Sequence, residues 1–151
     1  MPTGKFWERD GYAPSLFTDS GAGMIAAARN GSNPNEVTSI ACWVLGDTAA
    51  ALDRLPADAA GRAVIAEIER IRPAAAGALE FVALHSWGAD PYAGGAWAYF
   101  RPGEVTRYAA KLGAAHGRLH FCGEHLAAQS RGMEGAMESG ERAAAEILQN
   151  A

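Results

Sequence analysis

Residues 117–144 decide the fold. They read Gly117-Arg118-Leu119-His120-Phe121-Cys122-Gly123-Glu124-His125, a short link, then Gly132-Met133-Glu134-Gly135-Ala136-Met137-Glu138-Ser139-Gly140-Glu141-Arg142-Ala143-Ala144. Leu119 and Phe121 alternate with His120 and Cys122, which predicts a short strand over 118–122. Beyond Gly123-Glu124 the period changes. Met133, Ala136, Met137, Gly140, Ala144, Ile147 and Leu148 fall on one side of a helix predicted over 132–149. Glu138 and Arg142 stand at i, i+4 on the other side, a spacing that supports an ion pair. Strand, Gly-Glu, loop and helix together aim backbone amides and a helix N-terminus into one space. That end carries about half a positive charge and free N–H donors, which suits an anionic or carbonyl-bearing ligand.

Upstream, the chain predicts strands, then helices, then a strand and a glycine-rich loop. Ser15-Leu16-Phe17-Thr18 is a short strand candidate, and Gly23–Ala28 is ambiguous between strand and helix. Val37–Leu45, β-branched and aromatic, predicts a buried strand. Asp47 is a candidate cap for a helix running to about Leu55. A second helix spans Ala57–Ile71: Val64, Ile65, Ile68 and Ile71 share one face, and Pro73 stops it. Glu80–Trp87 alternates toward a strand, Gly88–Gly103 is irregular, and Gly103–Leu112 holds a short helix. The order is that of an α/β or mixed α+β protein.

Composition narrows the function classes. The chain has 151 residues, 49% apolar and 20% charged, with a net charge of −4. That is enough apolar material for an ordinary core and is not the composition of a disordered chain. No apolar run reaches the roughly 18 residues of a membrane helix, and the N-terminal residues do not resemble a secretory signal. A mildly acidic chain without a basic block is a poor fit to nucleic acid. Cys42 and Cys122 are far apart and form no CxxC pair, and the four histidines make no HExxH motif, so no metal site is expected. A cytoplasmic protein is the expectation.

Three stretches together carry a resemblance: Trp87-Gly88-Ala89-Asp90-Pro91-Tyr92-Ala93-Gly94-Gly95-Ala96-Trp97, and the two segments quoted first. In order and spacing they are similar to the C-terminal part of the flavin-containing amine oxidase family, which includes monoamine, polyamine and L-amino-acid oxidases. Phe6-Trp7-Glu8-Arg9-Asp10-Gly11-Tyr12 resembles that family's "FW…DG" segment. The resemblance implies an enzyme built on an FAD-binding, Rossmann-like two-domain fold, with residues 1–86 part of the substrate-binding domain and 87–151 the C-terminal part of the FAD-binding domain. It also implies what this chain lacks. There is no GxGxxG turn for the FAD pyrophosphate, and no counterpart of the family's lysine near the flavin. The expectation is a split enzyme, a hetero-oligomer in which a second polypeptide supplies the GxGxxG half.

Residue by residue, the resemblance implies that Gly123 and Glu124 approach the FAD phosphates and ribitol. Gly132 and Met133 form the turn whose amides reach the flavin pyrimidine carbonyl, and Ala136 leaves room one turn in. Trp87 packs near the isoalloxazine. Trp97 is one wall of the aromatic cage and the residue assigned to catalysis. Two positions depart from the family pattern. Ala96 stands where some members carry a cysteinyl flavin link, so FAD should be non-covalent. Gly132 stands where the second cage aromatic is usual, which leaves room for a bulkier or carboxylate-bearing substrate. The expected reaction is oxidation of a small amine or amino acid to an imine by hydride transfer to flavin N5, with peroxide as co-product. Arg131, beside the flavin turn, is a candidate to meet a substrate carboxylate. The alternatives are an L-amino-acid oxidase subunit and a non-catalytic interaction subunit without flavin.

Overall fold

The structure is a computed structural model that describes residues 5–127 and 129–149. It divides into two compact units, Met1–Gly94 and Gly95–Ala151. The first contains helix α1 (Phe6–Asp10), strands β1 (Leu16–Phe17), β2 (Met24–Ala28) and β3 (Ser39–Trp43), helices α2 (Gly46–Leu52) and α3 (Ala57–Ile71), and a 3-10 turn at Pro73–Ala75. The second contains α4 (Glu104–Leu112), a 3-10 turn at Glu124–Leu126 and α5 (Met133–Gln149).

In the first unit the strands form an antiparallel sheet in the order β1-β2-β3. Its register aligns Leu16 with Ile25 and Cys42, and Phe17 with Met24 and Trp43. Side chains alternate across a strand, so these two rows face opposite ways. Leu16, Ile25, Ile40 and Cys42 join the core of Phe6, Ala22, Ile68 and Ala75. Phe17 and Trp43 are exposed on the other face. β3 is therefore half-buried in alternation rather than buried throughout. Gly23 enters β2 at φ +64°, and a Cβ there would stand 2.3 Å from the Trp43 carbonyl oxygen, so the turn admits only glycine.

Helix α3 has the expected bounds. Ile68 is buried while Val64, Ile65 and Ile71 are half-buried. Gly61 is where the Phe81 ring seats: a Cβ would lie 2.2 Å from it. Helix α2 starts at Gly46 with Leu45 at its N-cap and no side-chain cap bond, so Asp47 does not cap it. Asp47 sits inside the first turn, where its charge still favours the helix end.

A buried ion pair closes this unit. Arg72 is 5% exposed. Its Nε and Nη2 donate to Asp10 Oδ2 and Oδ1 at 2.9 and 2.7 Å, and Nη1 donates to the Ala13 carbonyl at 2.8 Å. The guanidinium also stacks over Phe6 at 4.7 Å. Its hydrogen bonds hold the Asp10 carboxyl below the usual carboxylate range. The Phe6–Tyr12 segment is thus a structural clamp: Phe6 fills the core, Asp10 neutralises Arg72, and Gly11 ends α1 at φ +74°.

Two expected strands do not form. Glu80–Trp87 has no ladder partner among the described residues, and Val82 is 88% exposed. Arg118–Cys122 gives only a bridge, in which His116 and Leu119 exchange both backbone hydrogen bonds around Gly117. Alternation marks residues able to sit in a sheet, but a neighbouring strand must be present to make one.

Helix α5 packs by the opposite side from the one expected. Gly135, Ser139 and Ala143, at i, i+4 and i+8, are its buried residues. The stripe of Met133, Met137, Ile147 and Leu148 faces outward, and Met133 is 85% exposed. The buried line is small because the helix lies close against Ala127 and Ser130: a Cβ on Gly135 would stand 2.2 Å from the Ser130 carbonyl oxygen and 2.6 Å from Ala127 Cβ. Arg142 pairs not with Glu138 but with Glu146, at 2.5 Å, and also donates to the Phe121 carbonyl at 2.9 Å.

Candidate functional site

The site lies in the second unit, at the start of α5. A cleft of about 500 Å³ is lined by Trp97, Ala98, Tyr99, Phe100, Val105, Glu124, Arg131 and Gly132. It brings four of the expected residues together: Trp97, Glu124, Arg131 and Gly132.

Each is placed by local backbone chemistry. Gly123 has φ 140° and ψ 166°, a conformation essentially restricted to glycine. A Cβ there would also meet the His125 ring at 2.6 Å. Its N–H donates to Ser139 Oγ at 3.0 Å, so the last helix grips the Gly-Glu turn through a buried serine. Glu124 follows as the first residue of the 3-10 turn, half-buried. Its Oε2 accepts the Ala98 N–H at 2.9 Å, tying Trp97 and its neighbours to the turn. Its Oε1 lies 3.9 Å from Arg131 Nη1, which also donates to the Glu124 carbonyl at 3.4 Å. Below the turn, Arg142 holds the Phe121 carbonyl, and His120 Nδ1 lies 3.5 Å from Glu146 Oε2. Those contacts hold the Glu146 carboxyl below its ordinary range, the Arg142 hydrogen bond being the largest cause.

Gly132 has φ +78°, and a Cβ on it would meet nothing within 4 Å. The chain then enters α5 at Met133, and the first closing bond runs from the Ala136 N–H to the Gly132 carbonyl at 3.0 Å. The first amides of a helix have no partner within it, so this 17-residue helix presents donors beside the open space over Gly132. Ala136 is half-buried one turn in, and Ala96 is exposed next to Trp97. Trp97 is 52% exposed, its ring a free wall. Trp87 lies in the first unit, exposed and edge-on to His85 with ring centroids 4.3 Å apart.

One residue that positions the site was not singled out from sequence. Ser139 is the anchor of Gly123. A serine on the second turn of α5, in an otherwise small-residue line and able to reach back to a glycine, is the signal for it.

The geometry can do the following. The bare start of α5, two glycines without Cβ and an exposed apolar helix face fit a flat cofactor that carries carbonyl and phosphate oxygens. The aromatic wall and the Glu124–Arg131 pair fit a small polar substrate. Comparison with known proteins agrees with that chemistry. Residues 3–148 match the profile of the family "Flavin containing amine oxidoreductase". The chain is 30% identical over 153 residues to the flavin-containing amine oxidase A of Bos taurus, covering 95% of this chain and 28% of that one. It is 43% identical over 79 residues to an L-amino-acid oxidase of Siganus canaliculatus, covering 52% of this chain and 14% of that one. Among solved structures it is similar to wild-type putrescine oxidase bound to putrescine, with a TM-score of 0.73 and 25% identity over 95% of this chain and 32% of that one. The chain thus spans under a third of the length of these relatives. Its mixed helices and sheet are part of their larger FAD amine oxidase fold, and the chain belongs to the flavin-containing amine oxidoreductase family.

Proposed function

We propose that this chain is the C-terminal piece of an FAD-dependent amine oxidase and works with a second polypeptide that supplies the dinucleotide-binding half. The observation that carries the reading is the cleft at the start of α5, where Trp97, Glu124, Arg131 and Gly132 meet. The first unit serves as part of the substrate-binding domain and the second as part of the flavin domain.

Bound non-covalently, FAD would supply the redox chemistry, accepting a hydride equivalent from the carbon bearing the amine, so that the amine leaves as an imine and dioxygen is reduced to peroxide. This chain's residues bind and orient. The amides of Gly132 and Met133, at the positive end of α5, would face the pyrimidine carbonyl and favour negative charge there. Ala136 keeps the space above the first turn clear. Gly123 brings the backbone close to the phosphates without a Cβ. Its own N–H is held by Ser139, so the donors left at that turn are the amides of Glu124 and His125. Glu124 holds the Trp97 segment in place through the Ala98 N–H. Trp97 walls the substrate cleft, and Trp87 would pack near the ring system. The outward stripe of Met133, Met137, Ile147 and Leu148 is the surface a partner half would cover.

Purification from the native source, with mass spectrometry and an absorption spectrum, tests this. The expected result is a second chain carrying GxGxxG, together with flavin bands. In the assembled enzyme, Glu124→Ala should lower flavin content. A colourless species of this chain alone would remove the catalytic assignment and favour a flavin-free interaction subunit.

A further inference from the structure

We propose that Arg131 is the specificity-determining residue of the cleft and selects amine substrates that carry a carboxylate. The inference rests on the amine oxidase reading and adds a substrate class to it. Three observations converge. Glu124 and Arg131 are the acidic and basic side chains lining the cleft. Glu124 is committed: one oxygen takes the Ala98 N–H, and the other faces Arg131. Arg131 is not saturated. Its Nη1 serves Glu124 through a 3.9 Å ion pair and a 3.4 Å bond to the carbonyl, both long, while the side chain is 58% exposed at the cleft wall. A guanidinium has five donors in a planar fork, so it can keep Glu124 and still accept a second carboxylate edge-on.

The space for that carboxylate is built. Gly132, the next residue, leaves open space where a side chain would stand, and it lines the same cleft as Arg131. A ligand in the cleft meets Arg131 together with the aromatic side chains of Trp97 and Tyr99. Charge decides between substrate classes. A second ammonium, as on a diamine, would be set against a fixed cation. A carboxylate would be attracted by it and by the helix end.

The test uses the assembled enzyme and matched substrates: phenylalanine against phenethylamine, the same amine without the carboxylate. The quantity read is the ratio of their kcat/KM values in wild type, Arg131→Gln and Arg131→Lys. The expected result is a ratio favouring phenylalanine that falls at least tenfold in Arg131→Gln, mainly through KM, and is partly kept in Arg131→Lys. A structural role would lower both substrates alike; an unchanged ratio overturns the proposal. Titration with benzoate, a carboxylate that cannot be oxidised, gives a readout without turnover, and Arg131→Gln should weaken its Kd at least tenfold. If the protein holds no flavin yet binds benzoate through Arg131, the oxidase reading fails and the anion site stands. If flavin and turnover are present and benzoate binding ignores Arg131, this inference alone fails.

Discussion

Helix α5 allows one substitution to be made twice with opposite expected signs. Gly135→Ala and Gly140→Ala both replace a mid-helix glycine, and intrinsic propensity favours alanine by about 1 kcal/mol at either site. At Gly140 a Cβ meets nothing within 4 Å, so that gain should survive. At Gly135 the same methyl would lie 2.2 Å from the Ser130 carbonyl oxygen and 2.6 Å from Ala127 Cβ. Neither obstacle is the tip of a flexible side chain. The loop must retreat by roughly 1 Å, and forced overpacking of this kind costs about 1–3 kcal/mol. The net for Gly135→Ala is a loss of up to about 2 kcal/mol. The pair should therefore differ by about 1–3 kcal/mol in urea unfolding followed by circular dichroism. The retreat also drags Arg131 and Gly132, which follow Ser130 directly, so Gly135→Ala should lower flavin content in the assembled enzyme. Equal stability of the two variants would refute the close approach of α5 to Ala127 and Ser130.

Further outcomes follow from the first unit. Phe6 is fully buried beneath the Arg72 guanidinium, so Phe6→Ala should cost about 3–5 kcal/mol in denaturant unfolding; a loss under 1 kcal/mol would mean that α1 does not dock. Glu67 accepts two hydrogen bonds from Arg70 and one from the Gly21 N–H, and these hold its pKa at about 2, against an ordinary 4.5. A depressed carboxylate stabilises the fold above its unfolded pKa, so this contribution should fade as the pH falls from about 4.5 toward 2. Melting temperature measured across that range should fall less steeply in Glu67→Gln than in wild type.

Local signals in the sequence were read correctly where local physics decides the structure. Helix α3 has its expected ends because a 3.6-residue period and Pro73 both act within a turn or two. The turns at Gly123 and Gly132 have a related basis: both glycines take positive φ, and that geometry is set within a few residues. The misreadings share one cause. Glu80–Trp87, Arg118–Cys122 and the apolar stripe of α5 carry patterns for which the described residues supply no strand partner or full cover. Periodicity reports which side of an element wants cover, not what covers it, and here the small-residue line of α5 took the inner place. The Arg72–Asp10 pair escaped because nothing local links residues so distant in sequence.

That pair also sets a schedule for synthesis. Phe6 and Asp10 leave the ribosome well before Arg72, 62 residues after Asp10, which is what they close upon. At about 5–20 residues per second, the interval is about 3–12 s. Throughout it Phe6 lacks the guanidinium and the α3 residue Ile68 that complete its cover, an apolar side chain open to chaperones until translation has passed the end of α3.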